Sequence, residues 1–324
     1  MDIIQNIINN INYEQSVSFD FEGVHVEYIN EGNIPYILVI PPNIEDGSVI
    51  SFEANNLETE NNQELLISAI NTAYKLFKNT NSIVVVPLIK SKKNEPYYQQ
   101  LSKECFELPS NHSMYRLDMQ IVDIINKVKN RIFELYGITV NDKIFLNGYS
   151  ASGVFAQRFS LLHPDIIDTV CIGGASGSIP VISDILDYPL GIKDFYKLTG
   201  NNFDFDNYKK IKFRYYVGEL EDTRKSLDRY DDNHNYAPMH DMSYFNRSVP
   251  VDVGKMQRSL FGDNLFLRSQ KIINYLQNKE IDISQTIFLG RSHNNESGVG
   301  VNELGDEFIY KIYNEISHLN KFIK

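Results

Sequence analysis

The stretch from Ile144 to Gly153, Ile-Phe-Leu-Asn-Gly-Tyr-Ser-Ala-Ser-Gly, constrains this chain more than any other. A short apolar run ends in Gly-x-Ser-x-Ser-Gly and passes directly into Val154-Phe155-Ala156-Gln157-Arg158-Phe159, which reads as the start of a buried helix. The pattern predicts a strand, a sharp turn and a helix with a serine at the apex. Such a turn brings together the residues two before and two after the apex, so both must be small. Gly148 and Ser152 meet that condition around Ser150. Around Ser152 the second following residue would be Val154, whose β-branched side chain would clash. Ser150 is therefore the candidate nucleophile.

At 324 residues the chain is long enough to bury a sizeable core. No linker interrupts it, so one domain over 1–324 is expected. A formal charge of −11 argues against a nucleic-acid partner, whose phosphates would be repelled. No segment approaches the roughly 20 apolar residues of a membrane helix, and no membrane partner is expected. Met1-Asp2-Ile3-Ile4-Gln5-Asn6 carries an acid where a secretory leader carries lysines, which makes the cytoplasm the expected location. Two cysteines, Cys105 and Cys171, do not make a disulfide framework.

Val24 to Tyr28 alternates as a half-buried strand does, with His25 on the outer face. Tyr36–Ile40 and Ile83–Val86 are continuously apolar and end at prolines, as buried strands do. Between them, Leu66, Ile70, Ala73 and Phe77 repeat at helical spacing. A long helix is predicted from Ser113, with Met114, Leu117, Ile121, Ile124, Val128, Ile132 and Leu135 on one stripe and Gly137 as its stop. Further strands are expected over 169–173, 211–217 and 286–289, further helices over 252–261 and 265–278, and a closing amphipathic helix carries Leu304, Phe308, Ile312, Ile316 and Leu319. Strands alternating with helices predict an α/β fold, a mostly parallel central sheet with helices on both faces. Polar segments 88–112, 174–210 and 223–251 read as cap-like insertions near the strand ends.

A serine hydroxyl needs a base within hydrogen-bond reach to become a nucleophile, and the base needs a carboxylate to orient it. The turn around Ser150 resembles the nucleophile elbow of the α/β-hydrolase fold, usually written Gly-x-Ser-x-Gly, with Ser152 in place of the last glycine. The resemblance implies a triad in the chain order Ser, acid, His, each residue following a strand. Ser150, the pair Glu221/Asp222 and His293 stand in that order. The family's spacing after Gly218 falls on Glu221, whereas the shorter, commoner acid is Asp222. Asp222 is slightly favoured and Glu221 is the alternative. The resemblance also implies an oxyanion hole from the backbone N–H of Ala151 and a second N–H in the loop after an early strand. Taking that strand as Tyr36–Ile40, Asn43 is the first residue after Pro41-Pro42 able to donate.

The quoted segments look like a bacterial branch of α/β-hydrolases with a Gly-x-Ser-Ala-Ser-Gly elbow, near the polyhydroxybutyrate-depolymerase and esterase-like groups. This implies a serine hydrolase cleaving a small-molecule ester through an acyl-enzyme, with no cofactor and no metal. A peptidase or amidase of the same fold and a non-catalytic binding protein on a hydrolase scaffold are the alternatives. His234, His240 and Asp241 match no metal-ligand spacing and read as loop residues.

Overall fold

The run Tyr36-Ile37-Leu38-Val39-Ile40 is apolar without a break because both faces of the strand it forms are covered. Leu38 and Ile40 enter one core cluster, Ile37 and Val39 the other. The computed structural model describes residues 12–92, 95–220, 248–291, 293 and 301–321, the last stretch with side chains over 304–315. Within it the strands are β1 (Val17–Phe21), β2 (Val24–Ile29), β3 (Tyr36–Ile40), β4 (Ile50–Glu53), β5 (Ile83–Pro87), β6 (Ile144–Tyr149), β7 (Ile167–Gly173), β8 (Lys212–Gly218) and β9 (Ile283–Phe288). They form one nine-stranded sheet in the order β1-β2-β3-β5-β4-β6-β7-β8-β9. The first three strands pair antiparallel, and β3 is also antiparallel to β5. From β5 across to β9 every pairing is parallel.

Two layers of helix cover the sheet. Helix α1 (Asn62–Thr80) starts where the Asn61 side chain accepts hydrogen bonds from the N–H groups of Gln63 and Glu64, and it stops at Asn81 in the left-handed conformation. Its buried residues, Leu65, Leu66, Ala69, Ile70, Ala73 and Leu76, share a core with Ile309 and Ile312 of the last helix. On the opposite face lie α2 (Leu117–Tyr136) and α3 (Ala151–Leu162), with Phe155 and Phe159 of α3 stacked on each other and facing Phe52 of β4. Short helices α4 (Phe195–Thr199) and α5 (Phe205–Tyr208) lie between β7 and β8. The helices α6 (Val251–Phe261) and α7 (Leu265–Gln277) precede β9, and α8 (Val301–Lys321) closes the chain. This is the α/β architecture expected from the alternation of strand and helix.

Three details differ from expectation. The long helix begins at Leu117 rather than Ser113, because Arg116 has φ 46°, which no α-helix can pass through. From that position Arg116 places two guanidinium nitrogens 2.8 and 2.9 Å from Asp118. Strands β1 and β4 have no counterpart in the sequence reading. Of these, β4 matters most, since it lies between β5 and β6 in the middle of the sheet.

Candidate active site

Ser150 stands where β6 ends and α3 begins, at φ 56° and ψ −114°. A positive φ on a β-carbon-bearing residue is strained, and here the surrounding contacts enforce it. Ser150 N–H donates to the Gly173 carbonyl at 2.9 Å, and the Ser150 carbonyl accepts from Val154 N–H at 3.0 Å. A Cβ on Gly148 would meet the Ser152 carbonyl oxygen at 2.3 Å, so the turn tolerates no side chain there. Ser152 is fully buried, whereas Ser150 is half-buried. Tyr149 N–H donates to Ser152 Oγ at 2.8 Å, and Ser152 Oγ also lies 3.0 Å from the Tyr149 carbonyl. The second serine is thus occupied by the turn itself.

His293 Nε2 lies 3.1 Å from Ser150 Oγ, the reach a base requires. The imidazole stacks on Tyr149 at 5.0 Å between centroids and 23° between planes. The Tyr149 hydroxyl donates to the His293 carbonyl at 2.6 Å, and the Tyr149 ring stacks in turn on Tyr216. Gly174, with φ 58°, closes the other side: a Cβ there would fall 2.6 Å from His293 Cε1. The imidazole is therefore held between an aromatic face and bare backbone.

Beneath the elbow, β4 ends in Glu53, whose Oε1 lies 3.1 Å from Ser152 Oγ and whose Oε2 accepts from Asn147 Nδ2 at 2.6 Å. Burial raises the Glu53 carboxyl above its ordinary range, against the hydrogen bonds from Asn147 and Ser152 that lower it. The loop after β4 is tied down twice. Asn55 exchanges hydrogen bonds with the backbone of Ile89 at 2.9 and 3.1 Å, and Asn56 Oδ1 accepts from Ser152 N–H at 2.5 Å. Ala54–Asn56 therefore lies against the first turn of α3.

The expectation for Asn43 is corrected by the strand pairing. Because β3 runs antiparallel to β5, its last residues pair with the beginning of β5, Val39 opposite Val84. The loop beyond Ile40 leaves the sheet at the edge opposite Ser150, where Gly47 N–H donates to Thr139 O and Asp46 accepts from Thr139 N–H, just before β6. The early strand whose end faces Ser150 is β4. Its signal in the sequence is short: Ile50 and Phe52 alternate with Ser51 and Glu53, followed by Ala54-Asn55-Asn56.

Ala151 is the first residue of α3, next to Ser150. Glu221, Asp222, His234, His240 and Asp241 lie outside the described residues, as do most of 223–251. The described chain ends before them at Leu220, whose N–H donates to the Arg291 carbonyl at 2.8 Å, two residues before His293. Three other described histidines have partners elsewhere, His112 Nδ1 accepting from Met114 N–H at 3.1 Å. His163 pairs with Asp118 at 3.0 Å, and His25 with Glu27 at 3.1 Å. Among the described residues no cluster of histidine, cysteine or acidic side chains has the geometry to hold a metal ion. Cys105 and Cys171 are buried free thiols, and their burial raises both. No described helix is long and apolar enough to cross a membrane.

No known protein family matches the sequence by its family profile, and no curated protein matches it. Solved structures do match in shape. The poly(3-hydroxybutyrate) depolymerase LpqC from Bordetella parapertussis superposes with a TM-score of 0.51 at 9% identity, over 92% of this chain and 88% of that one. An esterase from Pyrobaculum calidifontis gives a TM-score of 0.47 at 11% identity, covering 98% and 87% of the two chains. A carboxyl esterase from Tuber melanosporum gives 0.46 at 10% identity, covering 97% of each. At 9% identity the likeness to the depolymerase speaks for architecture alone, and a mostly parallel sheet with helices on both faces agrees with it. The chain has the α/β-hydrolase fold.

Proposed function

We propose that the protein is a serine hydrolase that cleaves a small-molecule ester through an acyl-enzyme on Ser150. The observation that carries this reading is the 3.1 Å approach of His293 Nε2 to Ser150 Oγ at the apex of a strained strand-to-helix turn. Ser150 Oγ attacks the ester carbonyl carbon while its proton passes to His293 Nε2. The carbonyl oxygen becomes an oxyanion, and the alcohol leaves with the proton that His293 returns. Water repeats the sequence to release the acid and restore Ser150.

The developing oxyanion needs preorganised N–H donors. The Ala151 N–H at the start of α3 is one, favoured by the helix dipole. The second comes from the backbone of Ala54–Asn56, which Asn56 fastens to Ser152. The acid that orients His293 is Asp222, with Glu221 as its alternative. The bond from Leu220 N–H to Arg291 O supports it by bringing the chain before both carboxylates to the histidine loop. These steps draw on side chains and backbone alone, with no metal or organic cofactor.

The segments 88–112 and 174–210 belong to the same domain and flank the site in this reading. What supports it is that Gly174 touches His293 and that the two segments are joined to each other by Tyr188 and Lys103. Hydrolysis of p-nitrophenyl esters of increasing acyl length tests the proposal. Wild type is expected to turn over the short esters, and Ser150→Ala and His293→Ala to lose about a thousandfold or more in kcat. Equal turnover in Ser150→Ala and wild type would rule the mechanism out.

A further inference from the structure

We propose that Glu53 is a neutral, proton-carrying carboxylic acid that positions Ser150 for acyl transfer, a role that rests on the hydrolase function proposed above. The first ground is a hydrogen-bond count at Ser152. Its hydroxyl has three polar neighbours: Tyr149 N at 2.8 Å, Tyr149 O at 3.0 Å and Glu53 Oε1 at 3.1 Å. Tyr149 N–H can only donate and the Tyr149 carbonyl can only accept. A hydroxyl has one hydrogen and two lone pairs. That one hydrogen cannot serve both the Tyr149 carbonyl and Glu53 Oε1, so both contacts are bonds only when Glu53 Oε1 carries a proton and donates it to Ser152 Oγ. Glu53 Oε2 then remains the acceptor for Asn147 Nδ2, and each of these contacts is satisfied.

The second ground is the surroundings. Glu53 is buried, and the charged groups facing it are Lys75 of α1 and Asp306 of α8, which are paired with each other at 3.2 Å. The other titratable neighbours are Cys171 of β7 and Tyr216 of β8, and burial keeps both neutral. Burial disfavours the ionised carboxylate more than the hydrogen bonds of Asn147 and Ser152 favour it, and the Glu53 carboxyl is raised accordingly.

The third ground is what the site does. Ser152 is two residues beyond the nucleophile, and the oxyanion forms at the start of the same helix. A fixed negative charge under that helix start would oppose the charge developing on the substrate, whereas a neutral acid holds the same geometry without that cost. Through Ser152 the acid fixes the Tyr149 peptide that precedes Ser150, and through Asn147 it fixes β6. Its own strand leads into Ala54–Asn56. One side chain thereby ties the nucleophile's turn to the loop that supplies the second oxyanion donor.

The test compares Glu53→Gln, a neutral isostere, with Glu53→Leu and Ser152→Ala. Two measurements are made: p-nitrophenyl butyrate kinetics, and the infrared difference spectrum of wild type minus Glu53→Gln at neutral pH. The expected result is a protonated-carboxyl carbonyl band in wild type. Glu53→Leu and Ser152→Ala are each expected to fall about tenfold or more in kcat with KM little changed, and Glu53→Gln to recover most of that loss. The proposal is overturned if the band is missing, if Glu53→Gln is as impaired as Glu53→Leu, or if Ser152→Ala keeps full kcat. Should Glu53→Leu fail to fold, the band and Ser152→Ala decide. A wild type with the band but no esterase activity would defeat the hydrolase reading and the positioning role with it, while leaving the neutral acid established.

Discussion

Gly148 and Gly174 each do one thing for the serine and histidine, and each can be tested by a single change. Gly148→Ala would drive a methyl group to 2.3 Å from backbone that cannot yield, so the turn must open. This variant is expected to be strongly destabilised, with a thermal midpoint well below wild type in calorimetry. Gly174→Ala puts a methyl group against the imidazole at a position whose φ of 58° already disfavours a side chain. Its expected effect falls on kcat, about a hundredfold down, because the histidine moves off Ser150. Glu53 adds a pH signature. Its folded-state pKa lies above the ordinary 4.5, so the folded protein holds a proton that the unfolded chain releases. Stability conferred through this group is present below 4.5 and is lost as pH rises above it. The midpoint of Glu53→Gln relative to wild type should therefore climb as pH rises above 4.5, and a constant difference would contradict the assignment.

At the scale of elements, a triad around the buried Asp118 joins the beginning of α2 to the end of α3. Asp118 of α2 meets Arg116 and His163, the residue that ends α3. Burial alone would raise the Asp118 carboxyl, but the hydrogen bonds and charges of His163 and Arg116 hold it down at about 2, below its ordinary 3.8. Its contribution, ~2 kcal/mol, is fully present above pH 3.8 and lost as pH falls through about 2. Asp118→Asn should be less stable than wild type by about that amount at neutral pH, and urea titrations should show the gap closing below pH 4. The sequence made His163 legible as a helix-end residue through the following Pro164, while its partner Asp118, forty-five positions earlier, carried no local mark. The strand-to-helix turn at Ser150 was legible because steric crowding dictates its small residues whatever the rest of the chain does. The loop after β4, to which we assign the second oxyanion donor, was not. Tyr36–Ile40 is the longer apolar run, but its direction depends on antiparallel pairing with β5, a long-range fact with no local signature. Asn43→Pro, which removes the backbone N–H, should accordingly leave esterase kinetics unchanged, whereas a loss of about a hundredfold or more in kcat would restore the Asn43 assignment.

Across the whole molecule, the two long excursions on the Ser150 side of the sheet act as one body. The Tyr188 hydroxyl donates to the Leu101 carbonyl at 2.5 Å, Lys103 meets Asp194 at 2.6 Å, and buried Arg158 of α3 donates to the Gln100 carbonyl at 2.8 Å. Lys103 and Asp194 are both mostly shielded from water, so their interaction is less screened than a surface pair. A double-mutant cycle with Lys103→Met and Asp194→Asn is expected to give a coupling of about 0.5–3 kcal/mol. A coupling of zero would mean that the excursions are held independently. No sequence pattern announced this union, since the polar composition of each segment is shared with ordinary surface loops.

The proposal at the centre of all these levels is one activated serine. The most direct measurement is intact mass followed by peptide mapping after exposure to a fluorophosphonate, on wild type, Ser150→Ala and His293→Ala. One adduct per chain, located on Ser150, lost in Ser150→Ala and slowed in His293→Ala, is the predicted result. A folded wild type that takes up no label, or a Ser150→Ala variant labelled instead at Ser152, would contradict the account.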